Sequence, residues 1–155
     1  MTASDVTLEW RRFDEMPAAL LYEVLRFRQA IFVVEQGSAY EDLDGRDEAA
    51  LHLLARRDGA LVGYLRLIPE PGRTRIGRVS VAADYRGQGF ARRMMAAALA
   101  ERPGLPAAIS AQSYLVPFYA SLGFTPTSRE YDDAGVPHVD MVRLASTDCW
   151  SRDGI

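Results

Sequence analysis

The chain has 155 residues, of which 48% are apolar and 25% charged, and its formal net charge is −3. This length and composition are typical of one folded globular domain with a sizeable core, and they argue against a disordered chain. The slightly acidic balance disfavours nucleic acid as a partner, and no apolar run approaches the roughly 18 residues that a membrane helix needs.

The N-terminal part of the chain predicts a strand, a helix and an acidic loop. Residues 1–15 lack the apolar core of a signal peptide, and residues 6–13 alternate loosely between polar and apolar types, as a strand does. Pro17 suits the first turn of a helix, and apolar side chains then recur at helical spacing to about residue 33. Residues 35–48 are acidic and contain two glycines, which indicates a loop.

The remainder of the chain predicts further strands around two helices. One helix is expected to end near Glu101, and a brief one is expected between Ser113, as its cap, and Gly123. Asp58-Gly59 is a strong hairpin signal. The order of these elements predicts an α/β fold with a mixed, mainly antiparallel sheet flanked by helices. The predicted strands cover residues 51–57, 61–68, 75–82, 107–112, 124–131 and 137–144.

The domain organisation is expected to be simple. We predict one domain over residues 1–145 and a polar C-terminal tail over residues 146–155. The tail contains Cys149, the only cysteine of the chain. Because one cysteine cannot form a disulfide within the chain, a cytoplasmic location is expected.

A glycine-rich turn before the longer C-terminal helix is the most informative stretch of the sequence. It contains Arg86, Gly87 and Gly89, and it follows a predicted strand directly. Glycine lets the backbone approach a ligand, and the first N–H groups of a helix have no partner within the helix. The turn therefore predicts a site for phosphate or pyrophosphate. A P-loop nucleotide site is disfavoured, because no Gly-Lys-Ser/Thr follows the turn.

Two segments of the chain resemble the GNAT superfamily of N-acetyltransferases. Arg86, Gly89 and Ala91 match the turn signature of that superfamily, and residues 118–124 (Phe-Tyr-Ala-Ser-Leu-Gly-Phe) match its Phe-Tyr-x-x-x-Gly-Phe element. The resemblance extends from about residue 20 to 143 and implies a GNAT-like sheet with a splayed central strand. Further segments resemble the ElaA branch of the superfamily, namely residues 32–36, 42–44, 76–79, 111–112 and 136–138.

The resemblance implies acetyl-CoA as the donor. Its pyrophosphate is expected on the glycine-rich turn and its pantetheine arm beside the strand at residues 76–82. A backbone N–H near Val81 would polarise the thioester carbonyl. The expected cofactor-binding residues are Val79, Val81, Arg86, Gly87, Gln88, Gly89, Phe90, Ala91 and Arg92.

The resemblance also implies the catalytic residues. Tyr119 is expected to act on the leaving thiolate, as a hydrogen-bond donor or as a general acid. Many relatives place a glutamate on the central strand, where this chain offers Arg78 and Ser80. We therefore expect Glu35 to be the general base. Asp42, Asp44 and His138 are the next candidates for a base and are the expected substrate-binding residues, and the acidic loop suggests a cationic acceptor.

Several functions remain open at this point. The leading hypothesis is an acetyl-CoA-dependent N-acetyltransferase in which a primary amine of a small molecule or peptide attacks the donor directly. The alternative is a non-catalytic acyl-CoA-binding or sensing domain, which the missing strand glutamate keeps open. A homodimer with residues 136–144 at its edge is a third possibility. No metal is expected, because Tyr40 and Leu51 occupy carboxylate positions of the calcium-like loop and no His or Cys cluster suits zinc.

Overall fold

Eight strands form a single mixed sheet in the computed structural model, which describes residues 6–145. The strands are β1 (Val6–Arg12), β2 (Leu51–Arg57), β3 (Ala60–Glu70), β4 (Arg73–Val81), β5 (Ala107–Gln112), β6 (Thr125–Pro126), β7 (Tyr131–Asp133) and β8 (Val136–Arg143). The order across the sheet is β1-β2-β3-β4-β5-β8-β6, and β7 also pairs with β8. All pairs are antiparallel except β4 with β5. The predicted tail, with Cys149, lies outside the described residues.

Within residues 6–145, three α-helices pack around the sheet. They are α1 (Ala18–Gln29), α2 (Phe90–Glu101) and α3 (Val116–Ala120). A wider, π-helical turn extends α1 over Ala30–Glu35, where hydrogen bonds join residues five apart, such as the Gln36 N–H to the Ile31 carbonyl. Such π-helical turns are rare and frequently occur at functional sites.

The core lies on both faces of the central strands. In β2, consecutive residues Leu53 and Leu54 are fully buried and belong to opposite faces, since strand side chains alternate. The larger core cluster includes Met94 and Met95 of α2. Gly63 permits this packing, because a Cβ at that position would lie 2.9 Å from Cε of Met94. Helix α2 is therefore pressed closely onto the sheet.

The strands β4 and β5 separate soon after they meet. Only Thr74 with Ala107 and Arg75 with Ala108 are paired, and beyond these residues the two strands diverge. This confirms the splayed central strand that the resemblance implies. The divergence leaves the C-terminal half of β4 without a neighbour on one side.

The closing hairpin differs from its prediction. The expected strand at residues 124–131 is divided into the short β6 and β7, which pair with β8 in different registers. Between them the Ser128 hydroxyl accepts the N–H of Asp140 at 2.9 Å, so a side chain replaces the backbone ladder at this point. Because β8 has β5 on one side and β6 and β7 on the other, it is not the free edge that the dimer hypothesis requires.

The predicted short helix also begins later than expected. Ser113 starts a tight 3₁₀ turn instead of capping an α-helix, and α3 starts at Val116 with Pro117 in its first turn. Proline is tolerated there because its missing N–H would have no partner in the first turn.

Candidate active site

The divergence of β4 from β5 opens a cleft of about 540 Å³. Its walls come from the π-helical turn, β4, the glycine-rich turn, β5, α3 and β8. Gln88, Asp42 and Asp44 are the predicted site residues that do not line it. The predicted residues that do line it are Glu35, Val79, Val81, Arg86, Gly87, Gly89, Phe90, Ala91, Arg92, Tyr119 and His138.

The glycine-rich turn presents unpaired backbone donors. Gly87 and Gly89 have φ of 76° and 83°, a conformation that glycine adopts without steric cost. No side chain caps α2 at Gly89, and within the described residues no backbone acceptor is found for the N–H groups of Gly87, Gln88 and Gly89. Together with the positive end of the α2 dipole, these donors form an arrangement suited to a phosphate group.

Arg86 and Arg92 lie at this turn, each with its own contacts. The Nε of Arg86 donates to the Val81 carbonyl at 2.8 Å, and Arg92 donates to the Ser121 hydroxyl at 3.0 Å. The guanidinium of Arg92 also lies 5.3 Å from the centre of the Phe118 ring. Both arginines line the cleft, so both can reach an anion there.

Glu35 does not present a free carboxylate to the cleft. Its two oxygens accept hydrogen bonds from Nη1 and Nη2 of Arg86 at 2.6 Å and 2.9 Å. The hydrogen bonds from Arg86 lower the pKa of Glu35 below its usual value. A carboxylate held in this way is a weak proton acceptor, which disfavours Glu35 as the general base while the pair is formed.

Tyr119 lies on α3 with its side chain buried to 6% exposure. Its ring packs edge-on against Phe118 and Phe124, with centroid distances of 5.1 Å and 6.0 Å. Burial raises the pKa of Tyr119 to about 12. Since the phenol stays protonated at neutral pH, it can donate a hydrogen bond into the cleft, and no described residue is hydrogen-bonded to its hydroxyl.

His138 lies on β8 opposite Gln112 of β5 and lines the cleft. Its Nδ1 is 2.8 Å from the Val136 carbonyl oxygen. Because a carbonyl can only accept, Nδ1 carries the hydrogen in this contact, and Nε2 of the neutral ring is then the acceptor nitrogen. The ring stacks on Tyr131 at 6.1 Å, which fixes its orientation. His138 is thus held in the cleft wall with its Nδ1 engaged by the Val136 carbonyl.

The acidic loop, which the sequence suggests as a contact of the acceptor, is held by arginines. Asp42 and Asp44 do not line the cleft. Each accepts hydrogen bonds from arginines, as does Asp47, so their charges are balanced within the protein. We call this group the arginine–aspartate cluster; its members are Arg28, Asp42, Asp44, Asp47, Arg66 and Arg78.

Two arginines of the cluster are buried in the core region. Arg28 is fully buried and donates to Asp42 at 2.9 Å and to Asp47 at 2.7 Å. Arg66, at 2% exposure, donates to Asp47 at 2.8 Å. The sequence contained a signal for this pairing, because Arg28 lies in the apolar stripe of α1 and Arg66 in an apolar strand. Buried arginines require carboxylate partners, and the acidic loop contains three aspartates, Asp42, Asp44 and Asp47.

His52 is a buried polar residue that lies outside the cleft. Nε2 of His52 donates to the Asp47 carbonyl at 2.9 Å, and its Nδ1 accepts the Tyr64 hydroxyl, while burial lowers the pKa of His52. This arrangement agrees with a structural role. Among residues 6–145 no group of three His, Cys, Asp or Glu residues could hold a metal ion. In the same range no helix is long and apolar enough to cross a membrane.

The chain is similar to known proteins over most of its length. Residues 23–145 match the family model of the acetyltransferase (GNAT) domain. A UPF0039 protein of Synechocystis is 40% identical over 89% of this chain and 95% of its own. Two proteins with crystal structures are each 33% identical in sequence to this chain. The structure of an acyl-CoA N-acyltransferase from Pseudomonas aeruginosa superposes with a TM-score of 0.85 and covers 90% of this chain and 99% of its own. The structure of Escherichia coli ElaA superposes with a TM-score of 0.84 and covers 89% of this chain and 99% of its own.

Proposed function

The chain belongs to the GNAT acetyltransferase family, in its ElaA branch, and we propose that it transfers the acetyl group of acetyl-CoA to a primary amine of a small molecule or a peptide. The observation that carries the proposal is the composition of the cleft between β4 and β5. Its lining combines a turn of unpaired backbone donors with the buried phenol of Tyr119. The first suits a pyrophosphate, and the second suits a departing thiolate.

The donor is proposed to lie along β4. Its pyrophosphate accepts hydrogen bonds from the N–H groups of residues 87–91, and Arg92 adds a positive charge beside it. The backbone of Val79 and Val81 pairs with the pantetheine amides, because β5 has diverged and leaves this part of β4 open. Arg86 contributes to the pyrophosphate site only if the anion competes with Glu35 for its guanidinium.

Tyr119 is proposed to stabilise the leaving group by hydrogen bonding. The pKa of Tyr119 is about 12, whereas that of a thiol is about 8.5. Full transfer of the phenol proton to the thiolate would therefore cost about 5 kcal/mol of free energy. A hydrogen bond to the developing thiolate avoids this cost and strengthens as negative charge accumulates on sulfur. The structure thereby favours the first of the two roles that the sequence left open.

His138 is proposed to accept the proton of the amine. Deprotonating a lysine-like amine at pH 7 costs about 4.6 kcal/mol, so a positioned base benefits such an acceptor. Nε2 of His138 is the acceptor nitrogen of a ring that is fixed by Val136 and Tyr131, whereas Glu35 is paired with Arg86. These contacts favour the histidine over the glutamate.

The proposed reaction is a direct transfer. Nε2 of His138 takes one proton from the ammonium form of the amine, the neutral nitrogen attacks the thioester carbonyl carbon, and the carbon–sulfur bond breaks. The electron pair of that bond leaves on sulfur, which accepts the hydrogen bond from Tyr119. The nitrogen then loses its second proton, which ends on sulfur, and His138 releases its own to solvent. The products are the acetylated amine and CoA.

The alternative is a domain that binds acyl-CoA without turnover. It is favoured by Arg78 and Ser80, which β4 offers where many relatives place a glutamate and neither of which is a base, and by the paired state of Glu35. Release of thiol from acetyl-CoA should be measured with lysine-type amines, peptide α-amines, polyamines and aromatic amines, alongside calorimetry of CoA binding. Turnover with any amine supports the transferase. Binding of CoA without turnover on the whole panel supports the sensor.

A further inference from the structure

Strand β4 contains a bulge at Arg78. Tyr64 is opposite Ser80 and Arg66 is opposite Gly77, so one residue of β3 faces two residues of β4 between these pairs. The φ of Arg78 is 54°, in the left-handed region that arginine rarely adopts. Gly77 is adjacent but does not have a positive φ. A strained conformation of this kind persists only where the surrounding structure holds it in place.

The side chain of Arg78 is held on two sides. Its Nε donates to Oδ1 of Asp42 at 2.8 Å, and its Nη2 donates to the Asp42 carbonyl at 3.1 Å. Its guanidinium also lies over the ring of Tyr40, 5.2 Å from the centroid. A cation over an aromatic face is attracted by the ring quadrupole. The bulge residue is thus fastened to the acidic loop.

Asp42 is itself anchored to the core. The fully buried Arg28 donates to its Oδ2 at 2.9 Å and to its carbonyl at 2.8 Å. Asp42 therefore lies between two arginines, one from α1 and one from β4. Because Arg28 is packed in the interior, Arg78 is connected through Asp42 to a rigid part of the fold.

The bulge determines which backbone groups face the cleft. Arg78 and Val79 pair neither with β3, because of the bulge, nor with β5, because that strand has diverged. Val79 and Val81 line the cleft on the strand segment that follows. We propose that Arg78 is a positioning residue, whose side chain, held by Asp42 and Tyr40, maintains the bulge that presents the backbone of Val79 and Val81 to the acyl donor. The inference rests on the proposed function, in which the acyl donor is acetyl-CoA.

The test compares Arg78→Ala with Arg78→Gly, since both lose the side chain but only glycine tolerates the positive φ. The first measurement is amide exchange at Arg66 and Ser80, which flank the bulge, without any ligand. We expect the exchange rate to rise by about tenfold in Arg78→Ala and by a smaller factor in Arg78→Gly. The second is the Kd for CoA, which should rise by about tenfold in alanine and less in glycine. Arg73→Ala, which removes a charge from the same strand, is the control and should change neither.

Two outcomes would overturn the inference. One is exchange and CoA affinity in Arg78→Ala equal to those of the Arg73→Ala control. The other is a loss confined to KM for the amine, which would make Arg78 a direct contact of the acceptor. If Arg78→Ala does not fold, Tyr40→Leu removes the aromatic contact together with the hydrogen bond that the Tyr40 hydroxyl donates to Asp42, and Tyr40→Phe removes that hydrogen bond alone. Exchange at Ser80 that is faster in Tyr40→Leu than in Tyr40→Phe supports the inference, and equal exchange in the two variants contradicts it. Because exchange is measured without ligand, it remains decisive even if the protein binds no CoA, a result that would refute only the proposed function.

Discussion

The carboxylate of Glu35 and the guanidinium of Arg86 form a two-point ion pair, with distances of 2.6 Å and 2.9 Å. The pair joins the end of the π-helical turn after α1 to the turn before α2. Each side chain is 42% exposed. An exposed pair of this kind contributes up to about 1 kcal/mol. The pair is therefore weak enough for a bound pyrophosphate to compete with the Glu35 carboxylate for the guanidinium of Arg86.

The first prediction concerns this competition. Glu35→Gln removes the internal anion and should lower the Kd for CoA by up to about fivefold, measured by calorimetry. If His138 is the base, kcat should stay within about threefold of the wild-type value. Arg86→Ala serves as the opposite control and should weaken CoA binding. A loss of kcat by about 100-fold or more in Glu35→Gln would instead identify Glu35 as the base.

His138→Asn tests the proton acceptor. The asparagine amide can still donate to the Val136 carbonyl, but it offers no basic nitrogen. We expect kcat/KM for the amine to fall by about 100-fold, with the Kd for CoA unchanged. Tyr131→Phe keeps the stacked ring and loses only its hydroxyl, so it should remain close to wild type. Equal activity of His138→Asn and Tyr131→Phe would rule out the histidine as base.

Tyr119→Phe tests the leaving-group side. Loss of the hydroxyl should lower kcat by about 10- to 100-fold while CoA affinity is retained, because the hydrogen bond forms mainly in the transition state. Since burial raises the pKa of Tyr119 to about 12, the phenol stays protonated and remains a donor up to at least about pH 10. Ionisation of Tyr119 should thus cause no decline of the wild-type rate below that pH. A decline near pH 9 that disappears in Tyr119→Phe would contradict this assignment.

The arginine–aspartate cluster predicts the acid sensitivity of the fold. Burial alone would raise the pKa of Asp44, but hydrogen bonds from Arg66 and from the Arg46 backbone, with the charges of Arg66 and Arg78, lower it to about 2. A carboxyl with a depressed pKa stabilises the folded state above its unfolded pKa of about 3.9, and this contribution is lost as the pH falls toward 2.

Asp44→Asn should accordingly lower the urea midpoint at pH 7 and reduce its decline between about pH 4 and 2. Glu41→Gln, an exposed carboxyl in the same loop, is the matched control and should leave both properties near wild type. An unchanged acid transition in Asp44→Asn would show that the ion pairs of Asp44 do not contribute to stability.

The residues proposed for the donor side could be named from the sequence because their signals are local. Gly87 and Gly89 stand directly before the helix whose N–H groups they leave open, and Tyr119 lies within one short motif. The acceptor side depends on contacts between distant elements. Asp42, for example, is paired with Arg28 and with Arg78, which lie on α1 and β4. Spacing along the chain does not reveal such pairs, so the sequence did not predict that the aspartates of the acidic loop are paired with arginines.

The bulge in β4 is a second feature that the sequence did not locate correctly. Sequence propensity points to Gly77 as the residue for an unusual backbone conformation, whereas the structure has the positive φ at Arg78. Contacts of the arginine side chain with Asp42 and Tyr40 outweigh the local preference. At the closing hairpin, likewise, the Ser128 hydroxyl interrupts a strand that the residue pattern predicts as continuous.

Acetyl transfer to an amine in the cleft between β4 and β5 is tested by quantifying the acetylated amine by mass spectrometry against the CoA released. The measurement uses the best acceptor of the panel with the wild-type protein and with Tyr119→Phe. We expect one acetylated amine for each CoA and a much lower rate in Tyr119→Phe with unchanged CoA binding. CoA release without acetylated amine, or equal rates in the two proteins, would contradict the proposed transfer.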